Sequence, residues 1–162
     1  MPLTVRDARS ADIAAIRLVA EAAWRDTYAG LLTAPTIETF IEVAYSSERL
    51  QRRIERHTFL VAVEDDAILA FADAVEEADR LNLAAIYALP QQRGHGAGTL
   101  LLNELRARFA GLAVTADVLV GNRKGEVFYE HRGFVARETI AADLFGEPAN
   151  ERRWRLDARL DE

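Results

Sequence analysis

The chain has no cysteine and only three histidines among its 162 residues. The first absence excludes disulfides, thiolate metal sites and cysteine nucleophiles together. The histidines, at 57, 95 and 131, are too scattered for metal-ligand spacing, so no metal is expected. No apolar run approaches the ~20 residues of a membrane span. The opening MPLTVRDARSAD carries charges where a secretory leader would be apolar. A cytoplasmic protein with no membrane partner is therefore expected. Positive charge is also short: twenty Lys and Arg against twenty-six Asp and Glu give a net charge of −6. The basic residues are dispersed, which argues against a nucleic-acid partner. Half of the residues are hydrophobic, enough for one ordinary core, so one domain over 1–162 with one site is expected.

What is present alternates between two periods. LTVRDA reads as a short first strand, and Ser10 followed by Asp12 signals a helix start. Ile13, Ile16, Val19, Ala20, Ala23, Trp24 and Tyr28 recur at helical spacing, which predicts a helix to about Tyr28, stopped by Gly30. A second helix begins near Pro35, and SSERLQRRIER reads as a short, charged, solvated third. FLVAVE and AILAFADAVEE flank Asp65 and Asp66, a hairpin turn. LNLAAIYAL makes another strand ending at Pro90, and a Gly-rich loop then enters a helix to about Phe109. LAVTADVLV is a strand, NRKGEVFYEHR a helix closed by Gly133, and FVARETI and ERRWRLDA finish as strands. Hairpin strands imply antiparallel pairing, while the strand, loop, helix and strand between about 83 and 120 imply a parallel crossover. The pattern is a mixed α/β sheet with helices on its faces.

The Gly-rich loop LPQQRGHGAG, residues 89–98, carries the chemistry. A helix start presents unpaired N–H groups and partial positive charge, and glycines let an anion approach the backbone. Arg93 could add a charge-assisted contact, while a plain tight turn explains the same glycines. A nucleotide P-loop is excluded, because no Gly-Lys followed by Ser or Thr is present. A dinucleotide fingerprint needs a third glycine at 99, which is Thr99, although Asp117 lies about twenty residues downstream.

ALPQQRGHGAGTLLL resembles the coenzyme A loop of the GCN5-related N-acetyltransferases: an Arg or Gln, two residues, Gly, one residue, then Gly or Ala, met by Arg93, Gly96 and Gly98. VGNRKGEVFYEHRGF is similar to that family's second motif, with Asn122 leading a helix that carries Phe128 and Tyr129 and ends at Gly133 and Phe134. Gly125 stands where alanine is more usual. The resemblance implies an α/β (α+β) fold with a mixed, mostly antiparallel central sheet of about seven strands flanked by helices. It implies transfer of an acetyl group from acetyl-CoA directly to a primary amine, in a small molecule or a protein, within a ternary complex. The coenzyme would be bound by Ala88, Leu89, Arg93, Gly94, His95, Gly96, Ala97, Gly98, Thr99 and Asn122. A backbone N–H near Leu89 would stabilise the developing oxyanion, and Tyr129 would protonate the departing thiolate. Core packing is the competing role for Tyr129, and helix capping for Asn122. Glu76 is the first candidate base, with Asp73, Glu77 and Asp117 behind it, and His95 and His131 are expected at the surface. Trp24 and Tyr28, four apart, would form an aromatic wall of the acceptor cleft or belong to the core. A homodimer is compatible with all of this. Two other functions stay open: a non-catalytic coenzyme A binding domain, and a nucleotide-dependent oxidoreductase.

Overall fold

The computed structural model describes residues 2–158. Along the chain lie β1 (Thr4–Asp7), α1 (Ile13–Tyr28), α2 (Ala34–Ala44), α3 (Ser47–Arg56), β2 (Thr58–Glu64), β3 (Ala67–Glu76) and β4 (Arg80–Ala88). They are followed by α4 (Ala97–Arg108), β5 (Ala113–Leu119), α5 (Arg123–His131), β6 (Val135–Leu144) and β7 (Glu147–Leu156). The strands form one sheet in the order β1-β2-β3-β4-β5-β7-β6. Neighbours pair antiparallel except β4 with β5, joined by the crossover through α4. One face packs against α4 and α5 through residues such as Leu101, Leu105 and Tyr129. The other packs against α1, α2 and α3 through Ile16, Ile41 and Leu50. No helix among the described residues is long and apolar enough to cross a membrane.

Local signals explain most boundaries. Asp65 and Asp66 both adopt positive φ, at 50° and 65°, the geometry of the tight hairpin turn between β2 and β3. Ser46 caps α3 by accepting from the N–H of Arg49 at 3.2 Å, and Arg53 and Arg56 complement the dipole in its last turn. The first helix starts differently from the expected Ser10 cap. Residues Ser10–Asp12 form a 3₁₀ turn, and the carboxylate of Asp12 accepts from the N–H of Arg9 at 2.7 Å while pairing with Arg6. The last two strands are also longer than FVARETI and ERRWRLDA suggest. They meet at a turn in which Phe145 and Gly146 have φ of 52° and 90°. A Phe in that conformation hides the turn from a search for Asn-Gly or Asp-Gly.

Two features of β4 create the site. Asp73 opposes Ala85 while Ala74 opposes Leu83, so Ala84 is an extra, bulged residue. An extra residue reverses side-chain parity. Leu81 and Leu83 enter the α4 core, whereas beyond the bulge Ala85 and Tyr87 turn to the α1 side and Ile86 and Ala88 to the α4 side. The second feature is a short parallel ladder, which joins β4 to β5 only from Arg80 opposite Ala113 to Asn82 opposite Thr115. Beyond it β4 stays on β3 and β5 stays on β7, and the two strands part.

Candidate active site

A cavity of about 790 Å³ occupies the gap where β4 and β5 diverge. Its walls include Ile86 and Ala88 of β4, Asp117 and Val118 of β5, and the start of α4. Leu89 donates its N–H to the carbonyl of Leu69 at 2.9 Å, one register step beyond the pairing of Ala70 with Ala88. Alternation along an antiparallel ladder then turns the N–H and C=O of Ile86 and Ala88 toward the gap. The N–H of Leu89 itself is bonded into the sheet, so an oxyanion donor near Leu89 has to come from a neighbouring residue. The open polar groups of this edge belong to Ile86 and Ala88.

The glycine loop closes one end of the cavity. Gly94 and Gly96 have φ of 83° and 92°, which a residue with a Cβ adopts only with strain. Leu100 N–H bonds to Gly96 carbonyl as the first α4 bond, so the N–H groups of Ala97, Gly98 and Thr99 have no partner within the helix. Gly98 serves packing: a Cβ there would stand 2.6 Å from Cε1 of Phe128 on α5. Arg93 points to α1, where its guanidinium bonds Asp26 and also donates to Thr27 Oγ1 at 2.9 Å. Lys124 reaches the same Asp26 carboxylate at 3.1 Å. Those two cations, Arg93 first, hold the Asp26 carboxyl below the ordinary range. With Arg123 and Arg132 they give the cavity four basic side chains against the one carboxylate of Asp117. His95 is exposed, and its ring faces Gln92 at 3.2 Å rather than the cavity.

Arg132, next to the expected surface residue His131, belongs to the site although neither sequence motif marks it. It bonds Thr99 Oγ1 and the Phe128 carbonyl and lies 3.7 Å over the Phe128 ring, tying α5 to the start of α4. Its spacing from Phe128, four residues, is the signal that places both on one helix face.

On α5, Asn122 is buried and caps the helix, its Oδ1 accepting from Gly125 N–H at 3.1 Å. Glycine at 125 makes room for that cap, since a Cβ would lie 2.8 Å from Asn122 Nδ2. Tyr129 is only 6 % exposed, with edge-on contacts to Phe128 and Phe134 at 5.1 and 5.0 Å. It lines the cavity, and its hydroxyl makes no hydrogen bond among the described residues. Both competing roles for Asn122 and Tyr129 thus have a geometric footing. Burial raises Tyr129 well above the ordinary tyrosine value, opposed by the charge of Arg132.

Burial acts the same way on Tyr45 and Tyr87, and pushes Tyr28 up to about 12. All four phenols are ionised more easily in the unfolded chain, so their contribution is complete below the ordinary value of about 10. It is lost as pH rises from there through about 12, the Tyr28 value. Urea unfolding between pH 8 and 11 should show a flat free energy to about pH 10 and a fall above it. Phenolate absorbance should appear together with unfolding.

A second cavity, of about 440 Å³, lies on the α1 side of the bulge and shares Ala84, Ala85 and Tyr87 with the first. Trp24 lines it, stacked 3.9 Å from Phe40, while Tyr28 lines the first cavity and its hydroxyl meets that of Tyr87 at 2.7 Å. The aromatic pair is both core and wall. Asp73 also borders this cavity, but its carboxylate is taken by Arg53 at 2.8 Å and His57 at 2.9 Å. Asp117 is likewise engaged, by Arg153 at 2.9 Å. Glu76 does not reach either cavity. It is exposed and opposes Leu81, at the end of β4 where β4 and β5 are still joined. The expected general base is therefore not brought to the gap, because the strands diverge at the other end of β4. Glu77 is also exposed at that end, bonded to Arg80 at 2.8 Å.

Residues 55–136 match the family model of an acetyltransferase (GNAT) domain. A spermidine N(1)-acetyltransferase of Thermoplasma acidophilum is 27 % identical over 160 residues, spanning 93 % of this chain and 99 % of that protein. The crystal structure of the PaiA N-acetyltransferase of Thermoplasma acidophilum, in complex with coenzyme A, superposes with a TM-score of 0.81 at 25 % identity, covering 94 % of this chain and 98 % of that one. The ribosomal-protein-S18-alanine N-acetyltransferase of Escherichia coli shares the fold, with a TM-score of 0.74 at 16 % identity over 99 % and 97 % of the two chains. With the parted strands, the glycine loop and the α5 motif in place, the chain belongs to the GNAT family of acetyltransferases.

Proposed function

We propose that this acetyltransferase moves an acetyl group from acetyl-CoA directly to a primary amine where its two cavities meet. The observation that carries the reading is the parting of β4 from β5 beside a helix start with unpaired N–H groups and four basic side chains. This donor set fits a pyrophosphate, held by the N–H groups of Gly96, Ala97, Gly98 and Thr99. The outward-turned groups of Ile86 and Ala88 fit an amide-bearing arm, which would add to the sheet as a further strand. When bound, acetyl-CoA would supply a thioester-activated acetyl group.

The protein's own residues then have distinct tasks. The Ala88 N–H faces the gap and can donate to a carbonyl oxygen as charge develops on it. Asn122 holds α5 by its cap, and α5 presents the Tyr129 hydroxyl. Tyr129 remains protonated at neutral pH and holds a proton for the departing sulfur. The amine arrives from the α1 side of the sheet, past Trp24 and Tyr87. Spermidine, the acceptor in the relative's name, is one amine of this class.

Acetyl-CoA should raise the melting temperature and NADH should not, and an amine should trigger thiol release. In Gly96→Asp, a Cβ at φ 92° and a carboxylate at the helix start should weaken acetyl-CoA at least tenfold by calorimetry. A wild-type chain stabilised by NADH and not by acetyl-CoA would overturn the reading. Binding of acetyl-CoA without thiol release for any amine would instead favour the binding domain.

A further inference from the structure

Four arginines of α3 have no place in the chemistry above. Arg49, Arg52, Arg53 and Arg56 recur at spacings of three and four, which puts them along one helix face. All four line the second cavity, beside His57. The one carboxylate in that lining is Asp73, and Arg53 with His57 already holds it. Arg52 has only a loose approach to Glu48, at 3.9 Å. Arg49 and Arg56 are exposed at the cavity and have no ion pair among the described residues. The cavity volume of about 440 Å³ suits a small molecule. Its wall would repel a polycation, although the chain as a whole carries a net charge of −6.

We propose, resting on the acetyl-transfer reading, that the acceptor is a small primary amine that also carries a carboxylate or phosphate. Arg49, Arg52 and Arg56 hold the anionic group by charge-assisted hydrogen bonds. The amine is thereby directed inward to the bulge at Ala84, where both cavities share a wall. There the neutral nitrogen forms its bond to the acetyl carbon as the carbon–sulfur bond breaks. The electron pair passes to sulfur, the proton from Tyr129 goes to that sulfur, and the proton shed by nitrogen returns the balance through solvent.

Calorimetry without acetyl-CoA tests the site directly, using 4-aminobutyrate, O-phosphoethanolamine, butylamine and spermidine at low salt. One or both anionic amines should bind at least tenfold more tightly than butylamine and spermidine, and the stronger of the two identifies carboxylate or phosphate as the group read. The double substitution R49E and R56E, at exposed positions where folding is not at stake, should weaken that binding at least tenfold. It should raise KM for the same amine while acetyl-CoA affinity stays within twofold. Tightest binding of spermidine or butylamine would overturn the proposal, as would unchanged binding in the double variant. If those amines are also acetylated, transfer itself stands. If no amine is acetylated although acetyl-CoA binds, both readings fall together.

Discussion

Tyr129→Phe should lower kcat by about a hundredfold or more, the range in which loss of a general acid is felt, while acetyl-CoA binds as before. The substitution removes one oxygen and leaves the ring in place against Phe128 and Phe134. That oxygen has no hydrogen-bond partner among the described residues, so its loss orphans nothing and the fold should be unaffected. A Tyr129 that served only the core would therefore give a variant with wild-type turnover. The pH profile sharpens the distinction. With its pKa raised by burial, Tyr129 keeps its proton throughout the neutral range, so the wild-type profile has no falling limb from this group below about pH 10. Stopped-flow thiol release for both proteins, from pH 6 to 9, reads the two features together. Equal kcat values would remove the acid assignment and leave the fold and coenzyme reading intact.

Much of the frame was legible because local signals agreed. Asp65 and Asp66 marked a turn, and Gly94 and Gly96 marked the entry to α4, because both pairs need the left-handed backbone. The features that decide the chemistry were less visible. LNLAAIYAL is almost uniformly apolar, so nothing in it betrays the bulge at Ala84 that redirects Tyr87. The placement of Glu76 depended on which end of β4 parts from β5, and strand register is a tertiary property. Gly98 fits the phosphate motif in the sequence, but nothing there shows that it also gives clearance to Phe128, a contact between residues thirty positions apart. The α3 arginines announced a shared face, but not that the face borders a cavity.

Asp73→Ala should be the most destabilising of the substitutions considered. Asp73 is 1 % exposed and its carboxylate meets two side chains, the Arg53 guanidinium at 2.8 Å and the His57 ring at 2.9 Å. Arg53 also donates to the Ala44 carbonyl at 2.7 Å and lies over the Tyr45 ring at 4.7 Å, so it cannot simply swing into water. Removing one partner of a buried pair leaves the other uncompensated, at about 3–5 kcal/mol. The 18 % exposure of the Arg53 side chain favours the lower end, near 3 kcal/mol. At about 2–4 °C per kcal/mol for a chain of this size, the melting temperature should drop by about 6–12 °C. Removing both charges is a different matter, because a well-packed apolar pair avoids the desolvation of two ions. Asp73→Leu combined with Arg53→Met should therefore recover most of that loss, which a double-mutant cycle in urea would measure. The same pair ties α3 to β3 beneath the exposed arginines. Asp73→Ala should accordingly raise KM for an anionic amine while leaving acetyl-CoA affinity unchanged, because neither Asp73 nor α3 lines the cavity that the glycine loop closes. A melting temperature within 2 °C of wild type would show the pair to be worth no more than an exposed one, about 1 kcal/mol at most.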